Sequence, residues 1–103
     1  MAKLKLNPAP TFTAQVKIPV PGGESDPVTF TFKHRKRTDT IDWLKTTSTK
    51  EDYVIVQDMA AGWDLDDEFT PDNIATLCDN YPGAGGAILD AYLAELRGAR
   101  AKN

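Results

Sequence analysis

Phe12-Thr13-Ala14-Gln15-Val16-Lys17-Ile18-Pro19-Val20 and Val28-Thr29-Phe30-Thr31-Phe32-Lys33 are the two runs that decide the fold class. In the first, Phe12, Ala14, Val16, Ile18 and Val20 alternate with polar or turn-forming neighbours. In the second, Val28, Phe30 and Phe32 alternate with Thr29, Thr31 and Lys33. A period of two sends successive side chains to opposite faces, so each run predicts a strand with one apolar and one polar side. Between them, Pro21-Gly22-Gly23-Glu24-Ser25-Asp26-Pro27 is a dense turn signal, and the pair reads as an antiparallel β-hairpin with a long loop. Pro19 has no N–H for a ladder, which puts the first strand at an edge or ends it there. Leu4 and Leu6 are candidates for a short third strand. A lone hairpin is marginal in water, so its apolar face needs cover.

The remainder of the chain supplies that cover as helices. Thr38 or Asp39 is positioned to cap a helix through Ile41, Trp43, Leu44 and Lys45, and Thr46-Thr47-Ser48-Thr49 breaks it. A second segment opens at Asp52. Its Tyr53-Val54-Ile55-Val56 favours a strand, whereas its acidic start and Gln57-Asp58-Met59-Ala60-Ala61 favour a helix stopped by Gly62; the helix is the reading taken. Trp63 to Phe69 reads as a loop. Thr70-Pro71-Asp72 is then a strong helix start: a capping hydroxyl, a proline pre-set for the first helical position, and a carboxylate at the positive end of the dipole. Ile74, Leu77 and Cys78 share one face of that helix, and Tyr81-Pro82-Gly83 ends it. Gly83-Ala84-Gly85-Gly86 opens the last helix and allows close packing between the last two helices. That helix carries Ile88, Leu89, Tyr92, Leu93 and Leu96 as a broad apolar stripe.

The expected fold is therefore α+β. An N-terminal antiparallel β-hairpin, of two strands or three, packs against three to four C-terminal α-helices. One domain spans residues 1–103, with a hairpin region at 10–37, a helical region at 38–98 and a frayed tail at 99–103.

Composition narrows the function classes. A formal net charge of −3 argues against general nucleic-acid binding, which needs a basic face. No apolar run is long enough to span a bilayer, and Met1-Ala2-Lys3-Leu4-Lys5-Leu6 lacks the apolar stretch of a signal peptide, so a cytoplasmic protein is expected. The single cysteine, Cys78, allows no disulfide within the chain.

Chemistry-bearing residues are few. His34 is the sole histidine and lies in the cationic run Lys33-His34-Arg35-Lys36-Arg37, with no residue nearby in the run to orient it. A solvated turn histidine explains it better than a catalytic one. Cys78 sits on an apolar helix face, where a free cysteine behaves as a small hydrophobe. The basic run reads first as a solvated hairpin end that discourages edge pairing, and next as a contact for an acidic protein partner. Asp64, Asp66, Asp67 and Glu68 lack calcium-loop spacing, because their glycine precedes the cluster. No catalytic, cofactor or metal site is assigned.

The stretch from Gly62 carries an ordered set of motifs: Gly62-Trp63-Asp64, then Phe69-Thr70-Pro71-Asp72-Asn73-Ile74, then Leu77-Cys78-Asp79-Asn80-Tyr81-Pro82-Gly83-Ala84, then Ala87-Ile88-Leu89-Asp90-Ala91-Tyr92-Leu93. This set resembles the tail assembly chaperones of long-tailed bacteriophages and prophages. The upstream hairpin and the Asp42-Trp43-Leu44 helix fall in the expected order.

The resemblance implies a non-enzymatic role in the host bacterial cytoplasm. Such a protein binds the tape-measure protein, a long helical rod prone to aggregation, and assists assembly of the tail tube around it. Its implied partners are the tape-measure protein and the tail tube protein, with homo-oligomerisation a further expectation; no nucleic acid, membrane or cofactor is implied. The alternative is a minor structural or tube-associated tail protein. A chaperone for a helical rod needs exposed apolar or aromatic surface, and the candidates are Trp43, Trp63, Phe69 and Tyr92, with Arg35 and Arg37 for an acidic partner. Each aromatic also has a core reading, since a chain of this size needs its large rings inside. The stripe on the last helix is wider than one contact face needs, so part of it is expected to meet another subunit or the partner.

Overall fold

In the computed structural model, which describes residues 4–98, a three-stranded antiparallel sheet is covered by helices that come before and after its third strand, an α+β arrangement. Strands β1 (Thr11–Ile18) and β2 (Asp26–Lys33) form the hairpin, with Val16 opposite Val28 and Phe12 opposite Phe32. β1 stops before Pro19 and lies at one edge of the sheet. In the connecting loop Gly22 takes a φ of 74°, a conformation open to glycine at little cost.

Leu4 and Leu6 do not form the third strand. They are 90% and 96% exposed and belong to no strand. The third strand is instead β3 (Ala60–Trp63), antiparallel to β2 on its other side. Thr31 pairs with Gly62 while Phe32 pairs with Ala60, so Ala61 is an extra residue, a β-bulge. The bulge turns both Ala60 and Trp63 toward the core face, against Phe32 and Phe30. Without it they would point to opposite faces.

The described residues form four helices, α1 (Arg37–Leu44) and α2 (Asp52–Met59) between β2 and β3, and α3 (Pro71–Asn80) and α4 (Ala84–Leu96) after β3. A single 3₁₀ turn, Thr47–Thr49, joins α1 to α2. Three expectations need correction. α1 begins before Thr38 and Asp39, with Lys36 as a cap residue that makes no side-chain bond. α2 ends at Met59 rather than at Gly62, because the chain passes straight into β3 and the pull of the β2 ladder outweighs helix continuation. Trp63 accordingly belongs to a strand, and the loop begins at Asp64. α3 starts as expected: the Thr70 hydroxyl accepts from the Asn73 N–H at 3.2 Å, and Pro71 occupies the first turn. The frayed tail expected at 99–103 lies outside the described residues.

The core sits between the sheet and the helices. Phe30, Phe32, Val56, Met59, Ile88 and Tyr92 have no exposed surface, and Val16 and Ile74 almost none. α4 lies across β1 and packs on α2. The close approach occurs at Gly85, where a Cβ would stand 2.7 Å from an Asp52 carboxylate oxygen. The glycine-rich opening of α4 thus accommodates α2, and not α3 as its place between the last two helices suggests.

Candidate functional site

β2 runs out into Lys33-His34-Arg35-Lys36-Arg37, and α1 begins inside that run. The cations are therefore held at a strand-to-helix corner and do not trail freely. Arg35 is the fixed one. Its guanidinium lies 4.5 Å from the centre of the Trp43 ring and donates to the Tyr92 hydroxyl at 3.0 Å. The Tyr92 hydroxyl in turn donates to the Lys33 carbonyl oxygen at 2.8 Å. The Trp43 indole N–H donates to Asp58 Oδ2 at 3.0 Å, and Lys50 pairs with the same oxygen at 2.7 Å. Burial pushes the Asp58 carboxyl up, but the bonds from Lys50 and Trp43 and the charges of Lys50 and Arg35 outweigh it and hold it below its ordinary value of 3.8. This network ties β2, α1, α2 and α4 together at one end of the fold.

Beside the network lies an open groove of about 530 Å³. Ile41 and Leu44 of α1 form one wall and Leu93 and Leu96 of α4 the other. Ile41 is 47% exposed, a large apolar side chain that the fold leaves in water. His34, Lys36, Arg37 and Arg97 stand around these apolar residues, and no carboxylate lines the groove. Lys36, Arg37 and Arg97 take part in no ion pair among the described residues. α1 and α4 share no continuous packing seam. The groove is the space that such a seam would fill.

Arg35 and Arg37 line the groove. Trp43 is 8% exposed and Tyr92 wholly buried, so in this conformation both serve the core and the network behind the groove. Trp63 and Phe69 lie elsewhere, edge-to-face at 5.1 Å, and are half-buried. The Trp63 indole donates to the Asp67 carbonyl oxygen at 2.7 Å. Trp63 also lines a second cleft of about 390 Å³ with Ile18, Val28, Leu77 and Tyr81, which shares no residue with the groove. Ile41, Leu44, Leu93, Leu96 and Arg97 are groove residues that sequence reading did not single out as a site. Their signals were the surplus width of the α4 stripe and an isoleucine on a helix otherwise rich in polar residues.

His34 is exposed, and its backbone N–H donates to the Pro10 carbonyl oxygen at 2.8 Å. Cys78 is half-buried; burial, and then the charge of Asp52, raise its thiol to about 11. Asp64 extends the sheet: its N–H donates to the Thr29 carbonyl at 3.0 Å and its carboxylate accepts the Thr29 N–H at 2.9 Å.

A protein-family model described as "Phage tail assembly chaperone" matches residues 1–103. No curated protein and no solved structure shows significant similarity to the chain.

Proposed function

The chain belongs to the phage tail assembly chaperone family, and from that premise we propose that it binds the tape-measure protein and assists assembly of the tail tube around it. The observation that carries the reading is the groove between α1 and α4. It offers exposed apolar surface of helical spacing within a ring of cations, with a rigid network behind it. An aggregation-prone helical rod needs such a surface to cover its apolar stripes until tube subunits replace it. Binding and release are the whole of this role, and no bond is made or broken. Assembly takes place in the host bacterial cytoplasm; among the described residues no helix is long and apolar enough to cross a membrane.

The test is co-expression with the tape-measure protein encoded in the same genome. The reading predicts a higher soluble yield of that protein and its co-purification with the chain. An unchanged yield without co-purification would refute it.

A second reading, a minor structural component of the tail, draws on β1. This strand lies at the sheet edge over Thr11–Ile18 and is long enough to pair with another chain. Finding the chain in purified mature virions would favour it, and absence from virions favours the chaperone.

A further inference from the structure

From the make-up of the α1–α4 groove we infer that its occupant is an acidic amphipathic helix: a short apolar stripe flanked by aspartates or glutamates. The inference rests on the reading of the chain as a binding protein for a helical tail partner, and it adds the chemistry that the groove selects.

The groove walls set the shape of the occupant. Ile41 and Leu44 stand three residues apart on α1, and Leu93 and Leu96 three apart on α4, so each pair lies on one face of its helix. The two helices leave a gap in place of a seam. A third helix laid between them would bury its apolar stripe against both pairs, as a helix does in a hydrophobic groove. α1 spans only Arg37–Leu44, about 12 Å at 1.5 Å per residue, so the contact is about two turns long.

The rim sets the charge. Lys36, Arg37 and Arg97 are exposed, stand around the apolar walls and have no carboxylate among the groove residues to neutralise them. The chain as a whole carries a net charge of −3. An acidic segment is therefore repelled by most of the surface and attracted at this corner, which orients its approach. A nucleic acid would use the cations and leave the apolar walls exposed. An anionic bilayer would meet a concave, helix-walled groove where a convex apolar face is needed. An acidic helix matches the walls and the rim together.

The experiment uses the full chain and two fluorescent peptides of about 18 residues, long enough for a designed helix to form. Both carry the same leucine stripe, flanked in one by glutamates and in the other by lysines. Anisotropy titrations are run at about 50 and 300 mM NaCl, on either side of a Debye length of about 10 Å. The expected result is that the glutamate peptide binds at least about tenfold tighter than the lysine peptide and loses most of that advantage at the higher salt. The Lys36→Glu/Arg37→Glu/Arg97→Glu variant should reverse the preference, and Ile41→Asp should weaken both peptides. These side chains are exposed, and circular dichroism checks that the variants are folded. Equal binding of the two peptides, no binding of the glutamate peptide, or an unaltered preference in the triple variant would overturn the inference. Displacement of the glutamate peptide by an oligothymidylate at equal charge concentration would also overturn it. Co-expression separates the two levels of the argument. If the wild type and the triple variant keep the tape-measure protein soluble equally well, the inference fails and the chaperone reading stands. If the wild type gives no protection, the chaperone reading fails.

Discussion

The hydroxyl of Tyr92, in the middle of α4, donates to the carbonyl oxygen of Lys33 at the end of β2 across 2.8 Å, joining positions 59 residues apart. The same hydroxyl accepts from Arg35 at 3.0 Å. The ring lies wholly inside, tilted against Phe32 at 5.2 Å and edge-on to Trp43 at 5.8 Å. One side chain thus fills the core and partners the last carbonyl of β2.

Tyr92→Phe keeps the ring and removes the hydroxyl, leaving the Lys33 carbonyl and an Arg35 N–H without this partner. A loss of about 1–2 kcal/mol in unfolding free energy is expected. Tyr92→Ala also empties the ring's place and should cost about 3–5 kcal/mol, enough to unfold a small domain. Urea denaturation followed by tryptophan fluorescence measures both.

Asp58 sets the acid side of the stability profile. Its folded-state pKa lies below the ordinary value, so its contribution is present above that value and disappears as pH falls through the folded pKa. Asp58→Asn should lower stability at neutral pH by removing the Lys50 partner, and should flatten the acid limb relative to the wild type. Denaturation midpoints measured across the acid range test the difference. Parallel wild-type and variant limbs would refute it.

Sequence reading succeeded where local pattern and tertiary demand agree. The hairpin was legible because Val16, Ile18, Val28, Phe30 and Phe32 alternate and all face the core. α3 was legible because Thr70 and Pro71 satisfy its first turn locally. β3 was hidden because the bulge at Ala61 breaks the period of two and no turn separates the strand from α2. The start of α1 was misplaced because Lys36 caps without a side-chain bond. The groove could not be read from spacing, since its walls lie about fifty residues apart in the chain and are brought together by the Trp43–Tyr92 ring contact between α1 and α4. The basic run was visible, but the tethering of Arg35 to Trp43 and Tyr92, against the free rim positions of Lys36 and Arg37, needed the fold.

The two inner glycines of α4 should respond in opposite directions to alanine. At Gly85 a Cβ would meet Asp52 Oδ2 at 2.7 Å and Asp52 Cβ at 3.0 Å; the exposed carboxylate can turn aside, but the Cβ contact makes the two helices give by a few tenths of an ångström, and a net cost of about 1 kcal/mol is expected. At Gly86 nothing lies within 4 Å, and alanine should stabilise the helix by about 0.5–1 kcal/mol. Thermal melts of Gly85→Ala and Gly86→Ala check the contrast.

Cys78 should be unreactive while the protein is folded. Raising the thiol from 9.0 to about 11 leaves about a hundredfold less thiolate at a given pH, and alkylation by iodoacetamide should slow accordingly. Unfolding in urea should restore the rate of a free cysteine. The same shift makes stability fall as pH rises above 9.0, where the unfolded chain's thiol ionises first.

The central claim is that the α1–α4 groove shields an aggregation-prone tail protein, and light scattering from the tape-measure protein diluted out of denaturant tests it most directly. The wild-type chain should suppress the rise in scattering in proportion to its concentration, whereas Ile41→Asp, at a side chain 47% exposed, should suppress it little while remaining folded. Suppression by Ile41→Asp equal to that of the wild type, or none by the wild type, would contradict the account.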